Sequence, residues 1–362
     1  TSRTTHNITT IADYSIAIHN LILPTIIAGV LCCLAIGKPF LHKRNIIIFL
    51  IIIGLATFEY QYFLNKYASF SPISDIFPQQ TLVTHLQKIA GNNRIYGYNG
   101  AYISANLPTQ WRLQYPEGYD SFYPKLYGQL LASTVHGTYV EIPPRSDANL
   151  ANTSPSQDSY AKQVVMNLLD IKYVVNEDNN LPTNWSPQTN IFFPDRFKLV
   201  WQQSKWQIYQ NLETQPRVTI YYNWQSINNN KQIIATLFNP TFDYKNKLIV
   251  SSAFNTRPTN ISVNAAKVIH YSANKIIISA DAKANGLLFL PDTYFPDWIA
   301  QVDGKITPII RSDYAFRSVF ISKGHHTIVF TYQPTGFNIG IIISGVSIII
   351  SIILLGLFTL KK

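Results

Sequence analysis

The chain has 362 residues, 47% hydrophobic and 13% charged, with a formal net charge of +10. That charged share is about half of what a soluble domain carries, yet a mean hydropathy of +0.04 is too low for a chain that is mostly membrane helix. Lys and Arg are scattered with no run of four, which argues against nucleic acid as a partner. The single Met is Met166, so the sequence is expected to continue from an upstream part that is missing here. Cys32 and Cys33 are adjacent within an apolar run, with no metal-ligand spacing to any other residue.

Three stretches are apolar enough for bilayer helices of about 20 residues, at 15–36, 45–63 and 338–360. Between the first two, the loop 37–44 carries Lys38, Lys43 and Arg44 without an acid, and the chain ends in Lys361 and Lys362. The positive-inside rule puts both sites in the cytoplasm. Segment 1–14 and the whole of 66–337 are then expected outside the cytoplasmic membrane, in a multi-pass protein. Tyr60, Tyr62, Phe63 and Tyr67 gather at the outer end of the second span like an interfacial aromatic belt.

The expected fold class is α+β, with an extracytoplasmic α/β region at 66–200 followed by a β-sandwich, jelly-roll-like, at 201–336. Apolar residues at 82, 83, 86 and 89 predict a helix over Thr81–Ala90, stopped by Gly91. A strand follows at 94–98, then a Tyr-, Pro- and Gly-rich stretch at 106–144 that reads mainly as ordered loop. A helix at 159–170 runs into a strand at 171–175. From about residue 201 strands are expected at 206–210, 217–222, 247–252, 262–268, 275–280, 287–291, 298–302, 316–321 and 326–332. Asp303-Gly304 marks a hairpin. The last strand leads straight into the third apolar helix, so the sandwich should sit close to the membrane.

Several phrases carry a family resemblance. Leu168-Leu-Asp-Ile-Lys-Tyr-Val-Val, Tyr209-Gln-Asn-Leu-Glu with Pro216-Arg217, and Tyr294-Phe-Pro-Asp-Trp with Val302-Asp-Gly-Lys are three of them. Phe316-Arg-Ser-Val, Lys323-Gly-His-His and Phe330-Thr-Tyr-Gln-Pro complete the set. In order and spacing they resemble the C-terminal portion of the YfhO family of bacterial membrane proteins, from about residue 93 onward. Asp297 departs from the pattern, which usually has Gly before the Trp, and puts the turn geometry there in question.

The resemblance implies a polytopic glycosyltransferase of the GT-C kind that uses a polyprenyl-phosphate-linked sugar as donor and a cell-wall polymer or glycan as acceptor. It also implies that the catalytic base lies in an upstream extracytoplasmic loop, absent from this sequence. The residues themselves suggest no cofactor and leave any metal requirement open. Beside this stands a different reading, a non-catalytic envelope module that binds glycan or protein.

Candidate substrate-binding residues come from two places. The irregular segment around Arg112-Leu-Gln-Tyr-Pro-Glu-Gly-Tyr-Asp offers Arg112, Tyr115, Glu117, Tyr119 and Asp120, joined by Arg94 and Tyr98. It combines a cation, carboxylates and rings on a loop, where binding residues concentrate; an aromatic-stapled structural loop would look the same. Tyr294, Trp298 and Arg317 offer a second sugar-contacting face, against the alternative that Trp298 is core and Asp303 serves only its turn. His325 and His326 are neighbours whose side chains point to opposite faces of a strand, so they cannot chelate one metal together.

Overall fold

A computed structural model describes residues 11–37, 45–68, 72, 80–99, 101, 106–252, 258–259 and 261–360. The chain divides into two compact units, Thr1–Pro78 and Gln79–Lys362. Residues 1–10 of the expected segment 1–14, residues 38–44 of the expected loop 37–44, and Lys361 and Lys362 lie outside the described residues.

In the first unit, long aliphatic runs form α1 (Ile11–Gly37) and α2 (Asn45–Tyr67). Pro24 lies inside α1 without ending it, and the Thr25 hydroxyl donates to the Leu21 carbonyl at 2.7 Å in the same turn. The Lys66 ammonium donates to the Asn20 side chain at 2.7 Å and lies 5.6 Å from the ring centres of both Tyr62 and Tyr67. The aromatic group is therefore built around the polar end of this helix pair. By length and composition one described helix can cross a bilayer, Thr335–Leu354 at mean hydropathy 2.5, while Asn20–Cys33 is a shorter apolar stretch. Of the three expected spans, one passes this test.

The second unit begins with α3 (Thr81–Ala90), whose Leu82, Val83, Leu86 and Ala90 form one buried stripe, and Gly91 ends it at φ +55°. Then come β1 (Arg94–Asn99), α4 (Leu107–Gln110), β2 (Gly118–Tyr119), α5 (Lys125–His136) and β3 (Asp147–Ala148). α6 (Tyr160–Leu168) follows, capped by the Ser159 hydroxyl, which accepts from the Lys162 N–H at 3.2 Å. The chain continues through β4 (Ile171–Glu177), β5 (Phe197–Gln203) and β6 (Trp206–Asn211). Sheet order is β1-β4-β6-β5, with β1 and β4 parallel across the crossover that contains α5 and α6. Alternation along the strands separates two cores. Ile95, Val175 and Ile208 face α3, while Tyr96, Val174 and Tyr209 share a core with α5 and α6.

Two expectations need correcting here. The stretch 106–144 holds the twelve-residue helix α5. Residues 128–134 are all buried in it, so no amphipathic stripe marks it in the sequence. A Cβ at Gly128 would stand 2.0 Å from the Tyr123 ring, so a larger residue there would have to displace that ring. The strand expected at 206–210 belongs to this first sheet together with β5, so the α/β region ends at Asn211 and not at 200.

The remaining elements are β7 (Thr219–Tyr221), β8 (Asn223–Ser226), α7 (Asn230–Leu237), β9 (Lys247–Val250), β10 (Asn264–Ala265) and β11 (Lys267–Tyr271). They continue as β12 (Lys275–Ala282), β13 (Gly286–Thr293), β14 (Trp298–Val302), β15 (Lys305–Thr307) and β16 (Ile309–Ser312). The chain closes with β17 (Phe316–Ile321), β18 (Gly324–Tyr332) and α8 (Thr335–Leu360). One sheet has the order β10-β7-β13-β17-β16-β9-β8, the other β11-β12-β18-β14-β15. The two sheets share an apolar core of Ile220, Leu288 and Val319 from the first with Ile278, Ile328 and Phe330 from the second.

β13 is buried on both faces. Leu288 and Leu290 point into that shared core, while Leu287 and Phe289 join the core under α5 and α6. This explains its unbroken apolar run. The Asp303-Gly304 loop has φ of +50° and +80°, the primed-turn geometry its sequence predicts. Asp297 sits at φ +68°, so it occupies the left-handed conformation for which Gly is the usual residue. Its carbonyl accepts from the Gln333 N–H at 2.8 Å and its carboxylate from the Thr335 hydroxyl at 3.2 Å, tying β14 to the start of α8.

Candidate functional site

Two polar clefts stand out in the second unit. The first is assembled around Asp292, which β13 delivers at a register shift beside β17. Asp292 Oδ1 accepts from Arg94 Nη2 and from Arg217 Nη2, both at 2.9 Å. Its Oδ2 accepts from the Tyr271 hydroxyl at 3.0 Å and from Arg317 Nη2 at 3.2 Å. Arg94 opens β1, Arg217 precedes β7, and Arg317 is the second residue of β17. The cluster therefore joins the α/β sheet to the seven-stranded one. Arg94 also donates to the Leu169 and Pro291 carbonyls, at 2.7 and 3.1 Å.

Burial alone would raise the Asp292 carboxyl, but Arg217, Arg94 and Arg317 together hold it well below the usual carboxylate range. Asp170 lies close enough for Arg217 and Arg94 to act on it, and burial still pushes its carboxyl up to about 7. The Arg317 guanidinium stacks 3.9 Å from the Trp298 ring centre. An open cleft of about 400 Å³ is lined by Arg94, Arg317, Tyr271, Phe295, Trp298 and Tyr332 together with Asp292.

The second cleft, about 260 Å³, is lined by Tyr96, Gly97, Tyr98, Glu117, Asn149, Leu150 and Asn152. Tyr96 and Tyr98 share one face of β1 because strand side chains alternate. Glu117 Oε1 accepts from the Leu150 N–H at 2.8 Å and the Tyr96 side chain also hydrogen-bonds the carboxyl, while Asn149 Oδ1 is buried without a hydrogen-bond partner among the described residues. Burial pushes the Glu117 carboxyl up to about 7, against the opposing pull of the Leu150 N–H and Lys162. Behind this wall the fully buried Lys162 ammonium bonds Asp158 at 2.8 Å and lies 4.5 Å from the Tyr98 ring centre. Asp158 also takes a short hydrogen bond from the Tyr98 hydroxyl. Burial lowers the Lys162 amine, and Asp158 counters that only in part.

The candidate residues sort unevenly between these clefts. Arg94, Trp298 and Arg317 meet in the first; Tyr98 and Glu117 meet in the second, with Tyr115 stacked on Tyr96 at 5.9 Å. Tyr294 lines a separate depression beyond Trp298, with Ile306 and Ile309. Arg112 is exposed at φ +56°, Tyr119 is exposed, and Asp120 accepts from the Phe122 N–H at 2.8 Å in an exposed turn. None of these three lines either cleft.

Asp292, Arg217 and Tyr271 were not among the sequence candidates. The available signal was a lone carboxylate closing an otherwise apolar strand. His325 and His326 diverge as expected, His325 Nε2 lying 3.5 Å from Ser279 Oγ and His326 Nδ1 2.7 Å from Asp303. Among the described residues no group of three or more His, Cys, Asp or Glu could hold a metal ion.

The family model of the bacterial membrane protein YfhO matches residues 229–344. The uncharacterized protein YfhO of Bacillus subtilis strain 168 is 27% identical over 115 residues, a match covering 31% of this chain and 13% of that protein. No solved structure matches. The matched region includes Asp292, Trp298 and Arg317 but neither Arg94 nor the Glu117 cleft. From α7 into α8, the chain carries the sequence pattern of the YfhO family of bacterial membrane proteins, as its closing motifs imply.

Proposed function

We propose that this chain is the C-terminal part of a polytopic membrane glycosyltransferase that passes sugar from a polyprenyl-phosphate donor to a cell-envelope polymer or glycan. In this reading 15–36, 45–63 and 338–360 cross the cytoplasmic membrane and 66–337 works outside it. The upstream membrane half breaks the donor bond, and this domain holds the glycan.

The observation that carries the reading is the Glu117 cleft. A carboxyl that titrates at about 7 offers both a donor and an acceptor near neutral pH. It stands in one cleft with an unpartnered Asn149 carbonyl and two tyrosines. Sugar hydroxyls need that mixture of donors and acceptors, and a perturbed carboxyl in a cleft favours a functional role over a packing one.

The test is transfer of label from radiolabelled polyprenyl-phosphate sugar in membranes carrying the full-length parent. Glu117→Gln is expected to lower transfer by roughly tenfold or more, the cost of one strong hydrogen bond. Asp120→Asn, which touches only an exposed turn, should stay within about twofold of the parent. Unchanged transfer by Glu117→Gln, with glycan still bound, would move the assignment to a non-catalytic glycan-binding module.

A further inference from the structure

The Glu117 cleft leaves the arginine cluster unexplained. Three guanidiniums share one carboxylate, so positive charge exceeds negative even with Asp170 ionised. Arg217 Nε and Nη1 and Arg317 Nε and Nη1 are buried with no hydrogen-bond partner among the described residues. Each such donor costs about 1–3 kcal/mol when left unsatisfied. A strut between two sheets would need one arginine on Asp292, not three. Arg317 is only 2% exposed, yet it lines the open cleft, stacked on Trp298. A buried excess of guanidinium beside open space is a place for an anion, and the planar fork suits phosphate oxygens.

The position of the cleft narrows the source of that anion. Trp298 pairs with Tyr332 across β14 and β18, and both rings line the cleft. Three residues after Tyr332 begins α8, the helix long and apolar enough to cross a bilayer. Asp297, next to Trp298, bonds Thr335 at that helix start. Phe295, Trp298 and Tyr332 thus form an aromatic rim at the root of a membrane helix, the level at which lipid headgroups lie.

We propose that the cleft between Arg94, Arg317 and Trp298 binds the phosphoryl headgroup of a membrane lipid. The phosphate sits against the surplus charge of Arg94 and Arg317, which line the cleft, and the apolar chain leaves past the aromatic rim alongside α8. A free phosphate would meet the same positive charge but gain nothing from the rim.

Calorimetric titration of the full chain in a maltoside detergent separates the two sources, using inorganic phosphate and dodecyl phosphate as probes. Dodecyl phosphate is expected to bind at least about tenfold tighter than inorganic phosphate. Arg317→Gln should weaken it about tenfold or more. Ala273→Glu should do the same from the exposed mouth of the cleft, without disturbing the buried cluster. Lys305→Glu, a surface charge change at the far end of the β14–β15 hairpin, should bind like the parent, and so should Glu117→Gln. Equal affinity for both probes overturns the lipid assignment. Absence of saturable binding, or parental affinity in folded Ala273→Glu, overturns the site itself. Loss of binding in Glu117→Gln would tie it to the other cleft and overturn its independence.

Discussion

The two clefts treat a buried carboxyl in opposite ways. Asp292 is ionised because three guanidiniums surround it; burial pushes Glu117 up to about 7, and Lys162, paired with Asp158, pulls it back only in part. Burial penalises charge in both places, and the larger difference is the number of opposite charges within hydrogen-bond reach. One cleft therefore stores fixed positive charge, and the other holds a group able to gain or lose a proton. Anion capture suits the first and hydroxyl recognition the second.

Removing the shared carboxylate should have the strongest effect on the fold. Asp292→Asn leaves three buried guanidiniums without a counter-charge, and breaking such a cluster costs about 3–5 kcal/mol. Thermal unfolding of the full chain at pH 7 should shift down by on the order of 10 °C. A shift below about 2 °C would mean that the arginines are solvated well enough to stand alone, and the cleft would then carry no stored charge.

A smaller effect is expected from pH, with opposite signs for the two carboxyls. Glu117 has a raised folded value, so its contribution is fully present below about pH 4.5 and is lost as pH rises through about 7. Asp292 has a depressed one, so its contribution is present above about pH 4 and is lost as pH falls. Between pH 5 and 7.5 the Glu117 contribution falls by up to about 3 kcal/mol. Asp170 and Asp313, also raised to about 7 by burial, act in the same direction. Glu117→Gln should therefore reduce the loss of melting temperature over that range by roughly a third, without abolishing it. An unchanged slope would show that Glu117 titrates as an ordinary surface acid.

Local pattern made much of this scaffold readable. The helix Thr81–Ala90, the strand Trp298–Val302 and the Asp303-Gly304 turn follow from periodicity and turn chemistry, which act over a few residues. α5 escaped because burial on all sides erases the amphipathic stripe, and β6 was assigned to the wrong layer because a strand does not announce its partners. The same limit applies to the clefts. Arg94 and Arg317 drew notice one at a time, but 198 positions separate Arg94 from the Asp292 that binds it, and only the fold brings them within 2.9 Å. Glu117 and Asp120 share one loop in the sequence, yet a tight turn sends Asp120 into solvent and leaves Glu117 inside.

The smallest expected effect concerns how far Trp298 offsets the surplus charge of Arg317. The guanidinium lies 3.9 Å from the Trp298 ring centre and 5.1 Å from that of Phe330, so two rings face one cation. Trp298→Phe keeps an aromatic face with a weaker quadrupole and should cost about 0.5–1 kcal/mol, a melting shift of 1–3 °C. Trp298→Leu removes the quadrupole altogether while keeping an apolar side chain, so its further loss beyond Phe isolates the attraction. If Leu and Phe melt alike, the ring serves only as packing. The positive charge at the cleft is then larger than the stacked geometry suggests, and an anion bound there would recover more of it.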